Sequence, residues 1–196
     1  VFGSSGHGAH AKYMRVPVST LVPLPDKLSY TTGAAISCGT GTAYGALRRL
    51  KLQGGEIIAI FGQGPVGLSA TQLAVAMGAR VIALDISPER LEMAKSFGAA
   101  EIINAGSNDP VTAIKELTHG EGAHKTLEAS SASSARQAAV QAVRSWGIAC
   151  FVGERGTATL DVSPDLLRRQ VTLIGSWTFS TQGQSDCAEF VSDNDI

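Results

Sequence analysis

Three glycines and one acidic residue are the groups in this sequence whose spacing best suits a chemical task. Residues 56–67 read Glu-Ile-Ile-Ala-Ile-Phe-Gly-Gln-Gly-Pro-Val-Gly, which places the glycines directly after an apolar run. Gly62 permits a tight turn, Gly64 lets the backbone approach a pyrophosphate, and Gly67 lets a helix pack closely on a sheet. The pattern predicts a dinucleotide-binding turn.

The residues around the glycines fit the same task. A helix that begins near Pro65, with Val66 in its first turn, directs free N–H groups and its positive dipole end towards the phosphates. Asp85 follows Gly62 by about 20 residues, the distance typical of a carboxylate that accepts hydrogen bonds from ribose hydroxyls. Its charge would repel the 2′-phosphate of NADP and so favours NAD. Asp85 could instead cap a turn or the following helix.

A regular alternation of short apolar strands and helices positions this turn. The predicted strands are 57–61, 80–84, 101–103, 125–128, 148–152 and 171–175, with a further one at 10–17. The predicted helices are 31–36, 40–50, 65–77, 88–97, 109–117, 132–144 and 182–191. This order indicates an α/β fold, a doubly wound parallel sheet of the Rossmann type with strand order 3-2-1-4-5-6. The cofactor crevice should lie at the carboxyl ends of the strands, between the first and the fourth.

Composition excludes several classes of function. Lys and Arg number 16 against 17 Asp and Glu, so charge does not favour nucleic acid or an acidic membrane surface. No apolar run approaches the roughly 18 residues that cross a bilayer. Cys38, Cys150 and Cys187 are too widely spaced for a disulfide framework or a CxxC site, which favours a cytoplasmic location.

Several separated segments carry a second signal. They are Gly8-Ala-His-Ala-Lys-Tyr-Met14, Leu24-Pro-Asp26, Ser37-Cys-Gly-Thr-Gly-Thr-Ala-Tyr-Gly45, Gly62-Gln-Gly-Pro-Val-Gly67, Trp146 to Gly153 and Gly175-Ser-Trp-Thr-Phe-Ser180. Together they resemble the medium-chain zinc-dependent alcohol dehydrogenases over nearly the whole chain. The resemblance implies that residues 1–38 end a GroES-like catalytic domain, 39–180 form the dinucleotide-binding domain and 181–196 a C-terminal helix. The family's other zinc ligands lie upstream of such a stretch, so we expect a fragment of a longer protein.

The resemblance also assigns roles to individual residues. Cys38 matches a ligand of the catalytic zinc, although a lone cysteine is more often a small buried hydrophobe. Thr42 would lie near the nicotinamide, or simply make a polar contact at a helix start. Arg90 would lie near the adenosine ribose, or in solvent. Val152 and Gly153 would end the strand that passes beside the nicotinamide.

Two residues depart from the family pattern near the fourth strand. His124 stands where the family usually has Asp, and Ser131 stands where it usually has Gly. Ser131 therefore raises the question of whether the turn after this strand keeps a glycine-like conformation.

The intact protein is predicted to be an NAD-dependent oxidoreductase in which zinc polarises an alcohol and hydride passes between the alcohol or carbonyl substrate and the cofactor. The fragment alone is expected to be inactive. The alternatives are a zinc-free NADPH quinone or enoyl reductase of the same superfamily and a stand-alone, non-catalytic nucleotide-binding module. The apolar edge strand 171–175 and the resemblance both predict a homodimer; the alternative is that the final segment of the chain covers this edge.

Overall fold

Six parallel strands form one sheet in the computed structural model, which describes residues 11–196. The strands are β1 (Ile57–Phe61), β2 (Arg80–Asp85), β3 (Glu101–Asn104), β4 (Ala123–Glu128), β5 (Val143–Phe151) and β6 (Thr172–Gly175). Their order in the sheet is β3-β2-β1-β4-β5-β6, and every neighbouring pair is parallel. This confirms the predicted doubly wound Rossmann order.

Helices cover both faces of the sheet. They are α1 (Tyr30–Ala35), α2 (Gly41–Arg49), α3 (Pro65–Ala76), α4 (Pro88–Ser96), α5 (Pro110–Leu117), α6 (Ser133–Ala142) and α7 (Thr181–Asp193). Alternate residues of β1 enter different cores: Ile58 and Ile60 pack in the core that includes α2, α3, α4 and α7, whereas Ala59 and Phe61 pack in the core under α5 and α6. Across residues 11–196, none of the helices is both long and apolar enough to span a bilayer.

The predicted end of one helix and one predicted strand are wrong. The helix predicted over 132–144 ends at Ala142, because Val143 already pairs with Ala123 as the first residue of β5. Residues 11–17 form no strand, since a strand needs a partner for its backbone groups and this segment pairs with none in the described part of the chain. Residues 1–10, with the first part of the Gly8–Met14 motif, lie outside the described residues.

Two short π-helical turns were not predicted. One turn, Ile36–Thr40, joins α1 to α2 without a break, and the other, Ser163–Leu167, precedes β6. Five residues are too few to show a helical period, so the sequence pattern could not reveal them. The first of these turns contains Cys38.

Candidate functional site

A cleft of about 570 Å³ opens at the carboxyl ends of the first four strands. One wall is formed by the glycine turn and the end of β2, and the other by the starts of α5 and α6. The lining residues that concern the site are Gly62, Gly64, Asp85, Arg90, Ser130 and Ser134. The cleft lies where the strand order reverses between β1 and β4, which is where ligands bind in doubly wound sheets.

The three glycines of the turn are required for different reasons. Gly62 has φ +90°, and a Cβ on it would lie 2.8 Å from the Cβ of Ser130. A Cβ on Gly67 would lie 1.8 Å from the carbonyl oxygen of Gly62, so the close approach of α3 to the turn demands glycine there. A Cβ on Gly64 would meet no atom within 4 Å, and the φ of −75° suits any residue. The fold therefore does not require glycine at 64, and the open space is free for a ligand.

The first turn of α3 faces this space without a side-chain cap. Gly64 is its N-cap and Pro65 its first residue. The N-termini of α4, α5 and α7 are each capped by a side chain, whereas that of α3 has none. Its early N–H groups, among them that of Val66, have no intrahelical acceptor and can bind an anion. Val66 itself packs its side chain on the core.

Asp85 is buried and serves as a turn cap as well as a wall of the cleft. One carboxylate oxygen accepts from the N–H of Gln63 at 2.6 Å, and the other from the N–H groups of Ile86 and Ser87 at 2.8 and 2.9 Å. The guanidinium of Arg90, a largely exposed side chain, lies 3.9 Å away. The capping role that the sequence left open is therefore real, and it joins the end of β2 to the glycine turn.

Gln63 is a component of the turn that the sequence did not reveal. Its side chain is fully buried, donates to the carbonyl oxygen of Ile60 at 3.0 Å and accepts from the hydroxyl of Thr71 at 2.9 Å. Glutamine is ordinarily exposed, so nothing in its type or spacing marks it as a buried residue. These bonds hold the turn to β1 and α3 from inside.

The other predicted site residues lie outside this cleft. Val152 and Gly153 follow β5, and their N–H groups donate to the carbonyl oxygen of Glu128 at 2.9 and 3.1 Å. Thr42 is half-buried in the first turn of α2. Pro65, Val66 and Gly67 start α3 rather than line the cleft.

Cys38 is exposed on the described part of the chain and is not packed in either apolar core. Its π-helical turn packs against the start of α3. A Cβ on the adjacent Gly39 would lie 3.8 Å from Pro65, and the hydroxyl of Thr40 lies 2.9 Å from that of Ser69. The fold thus places an accessible thiol in the segment that contacts the glycine turn.

Residues 11–196 do not form a zinc site by themselves. No three His, Cys, Asp or Glu side chains among them cluster in a way that could hold a metal ion. Cys38 is a suitable thiolate donor, but a zinc site needs about three protein ligands.

Comparisons with known proteins agree with this architecture. The family described as zinc-binding dehydrogenase matches residues 65–193. The zinc-type alcohol dehydrogenase-like protein YphC of Escherichia coli is 39% identical over 194 residues, covering 98% of this chain and 55% of YphC. The alcohol dehydrogenase TADH of Thermus sp. ATN1 superposes with a TM-score of 0.88 at 30% identity, covering 97% and 56% of the two chains. A structure described as an NAD-dependent alcohol dehydrogenase superposes with a TM-score of 0.90 at 28% identity, covering 100% and 58%.

The chain therefore belongs to the zinc-binding dehydrogenase family and corresponds to the cofactor-binding portion of the medium-chain zinc-dependent alcohol dehydrogenases. It spans slightly more than half the length of these relatives.

Proposed function

We propose that this chain binds NAD as the cofactor-binding part of a zinc-dependent alcohol dehydrogenase. The observation that carries the proposal is the empty space over Gly64 in front of the uncapped N-terminus of α3. The space would admit a pyrophosphate, and the N–H groups of Val66 and Gly67 would bind it. The structural relative described as NAD-dependent supports the choice of cofactor.

Asp85 and Arg90 would recognise the adenosine ribose. A carboxylate offers about four lone-pair sites, and backbone N–H groups already occupy three of those on Asp85. One site remains for a ribose hydroxyl, and Arg90 lies beside it. The buried negative charge of Asp85 would repel a 2′-phosphate, so NAD should bind more tightly than NADP.

The nicotinamide half of the cofactor would lie beyond the cleft, beside Val152, Gly153 and Thr42. Cys38 would bind zinc together with ligands from the rest of the longer protein, and an alcohol or carbonyl compound would be the substrate. When bound, the cofactor supplies the hydride chemistry. The role of this chain is to bind the cofactor and to orient it towards the segment that contains Cys38.

Calorimetric titration of the folded chain with NADH and NADPH tests the proposal. A methyl group on Gly64 enters space that the fold leaves open, so Gly64→Ala should weaken NADH binding about tenfold and leave the melting temperature unchanged. Gly183→Ala, which adds a methyl group to the first turn of α7 away from the cleft, should leave NADH affinity unchanged and should not lower the melting temperature, since alanine favours a helix more than glycine does.

Gly67→Ala should behave in the opposite way to Gly64→Ala. Its added methyl group collides with backbone, so it should lower the melting temperature even without cofactor.

Tighter binding of NADPH than of NADH would contradict the choice of NAD and favour the zinc-free reductase. Binding of neither would contradict the site.

A further inference from the structure

Glu128 is a fully buried carboxylate at the end of β4. One of its oxygens, Oε1, accepts three hydrogen bonds from the loop that follows: from the N–H and hydroxyl of Ser130 at 2.6 and 2.7 Å, and from the N–H of Ser131 at 2.7 Å. The other oxygen, Oε2, has no hydrogen bond. It lies 3.4 Å from Nε of Arg136, whose side chain is only 6% exposed.

Arg136 projects from α6 and binds a different loop. Its Nη2 donates to the carbonyl oxygen of Gly153 at 2.8 Å and to that of Arg155, and its Nη1 donates to that of Thr157 at 3.5 Å. A single guanidinium therefore donates hydrogen bonds to three carbonyl oxygens of the loop after β5. The five donors of a planar guanidinium make this possible, and lysine could not replace them.

The backbone of the loop after β5 packs closely against the ion pair of Glu128 and Arg136. A Cβ on Gly153 would lie 2.9 Å from Oε2 of Glu128 and 2.6 Å from the nitrogen of Ser131. Gly156 has φ +73°, and a Cβ on it would lie 2.9 Å from Nη1 of Arg136. The loop after β5 can approach the ion pair this closely only because these two residues are glycines.

The ion pair connects the two halves of the proposed cofactor site. On one side, Glu128 holds Ser130, which lines the cleft and lies against the Gly62 turn. On the other side, Arg136 holds the loop that begins at Gly153. Both loops follow the carboxyl ends of strands, where the cofactor would lie.

We propose that Glu128 and Arg136 are positioning residues that fix the loop after β5 relative to the adenosine cleft, so that one cofactor molecule can engage both. The inference rests on the proposed binding of NAD. The hydrogen bonds and the ion pair of the Arg136 guanidinium go to the loop after β5 and to Glu128, and its face lies over the ring of Phe151 in β5. Losing the guanidinium should therefore displace the nicotinamide-side loop and leave the adenosine cleft intact.

Calorimetric titration with NADH and with ADP-ribose separates the two halves, because ADP-ribose contains the adenosine and both phosphates but no nicotinamide. Arg136→Met should weaken NADH binding about tenfold and ADP-ribose binding less than about twofold. A general loss of structure would weaken both by the same factor. Arg168→Met, a change of the same kind at an exposed arginine, should leave both affinities unchanged.

Arg136→Met leaves the charge of Glu128 buried without a partner, which lowers the stability of the single variant. A double variant allows the test even if the single variant folds poorly. Glu128→Gln with Arg136→Met removes both charges, so it should regain thermal stability. NADH affinity should remain low because the carbonyl oxygens of Gly153 and Arg155 still lack their donor.

Recovery of NADH affinity in the double variant, or equal losses for the two ligands in the single one, would overturn the positioning role. A wild-type chain that binds neither ligand would overturn the proposed cofactor and this inference with it. A wild-type chain that binds both, with variants that also bind both normally, would overturn the inference alone.

Discussion

At the scale of single residues, side chains that look alike in the sequence have different surroundings. Cys38 is exposed, whereas Cys150 and Cys187 are buried. Burial raises the pKa of the Cys150 thiol and of the Cys187 thiol to about 12 each. The thiolate is the reactive form of cysteine. The two buried thiols should therefore react slowly, because reagents cannot reach them and because they remain protonated.

We therefore expect one of the three thiols to react rapidly with a disulfide reagent in the folded chain at pH 8, and all three in denaturant. The Cys38→Ser variant should lose the rapid phase, whereas Cys187→Ser should keep it. Absorbance of the released thiolate measures both rates. Rapid reaction of two or three thiols in the folded wild-type chain would contradict the burial of Cys150 and Cys187.

Ser131 has a backbone conformation that is more typical of glycine. Its φ of +69° lies in the left-handed region that favours glycine, so the turn after β4 has a glycine-like conformation despite the side chain. The two hydrogen bonds from the N–H groups of Ser130 and Ser131 to Glu128 hold it there. Local strain is tolerated where surrounding bonds determine the conformation.

At the scale of elements, His124 joins two strands at their amino ends. Its Nδ1 accepts from the N–H of Ile57 at 3.1 Å, which joins β4 to the start of β1. Burial, and to a lesser extent the positive charge of Arg144, lower the pKa of His124 below its ordinary 6.5, and Glu56 opposes them. The neutral imidazole is thus the form that the fold stabilises, and only that form can accept the hydrogen bond.

The pH dependence of stability follows from this. Below pH 6.5 the unfolded chain takes up a proton at His124 that the folded chain resists. The contribution of neutral His124 to the free energy of unfolding is therefore fully present above pH 6.5 and is lost as the pH falls. Urea unfolding at pH 7.5 and 5.5 should show a lower midpoint at the acid pH. His124→Gln should reduce the difference, whereas a change at the exposed His119 should not. An unchanged pH difference in His124→Gln would rule out this explanation.

At the scale of the whole molecule, β6 lies at one edge of the sheet. Within residues 11–196 it pairs with β5 alone, and Leu173 on it is 37% exposed. The alternative that the final segment of the chain covers this edge is not realised in the described structure, since α7 packs on α2, where the rings of Tyr44 and Phe190 lie 5.6 Å apart. An apolar edge with free backbone groups is a template for pairing with another chain.

We propose a twofold dimer in which two β6 strands pair and the sheets continue into each other. Leu173→Lys should shift the chain towards monomer in analytical ultracentrifugation, because it places a charge on the edge. Leu21→Lys, the same change at an exposed leucine of the N-terminal connector, should not. A wild-type chain that sediments as a monomer at roughly tens of micromolar, where weak dimers are visible, would refute the dimer.

Much of the fold and part of the site could be predicted because their signals are local. Short apolar runs such as that of β1, separated by helical segments, indicated a parallel sheet and its order, and right-handed crossovers leave few other arrangements. Gly62, Gly64 and Gly67 were recognisable because their spacing directly after an apolar run is a pattern within a few residues of the sequence. Strand and helix ends, such as Ala142 and Val143, were less predictable because pairing with another strand decides them.

The sequence by itself determined the element order, the glycine turn and the acidic residue that ends β2, since these depend on the chemistry of neighbouring residues. Only the tertiary structure decided that Asp85 caps the turn at Gln63, that Cys38 lies exposed beside α3, and that Glu128 and Arg136 join two loops. The residues in these contacts lie in different elements or loops. Their distance in space depends on how helices and strands pack, and neither residue type nor local spacing encodes that packing.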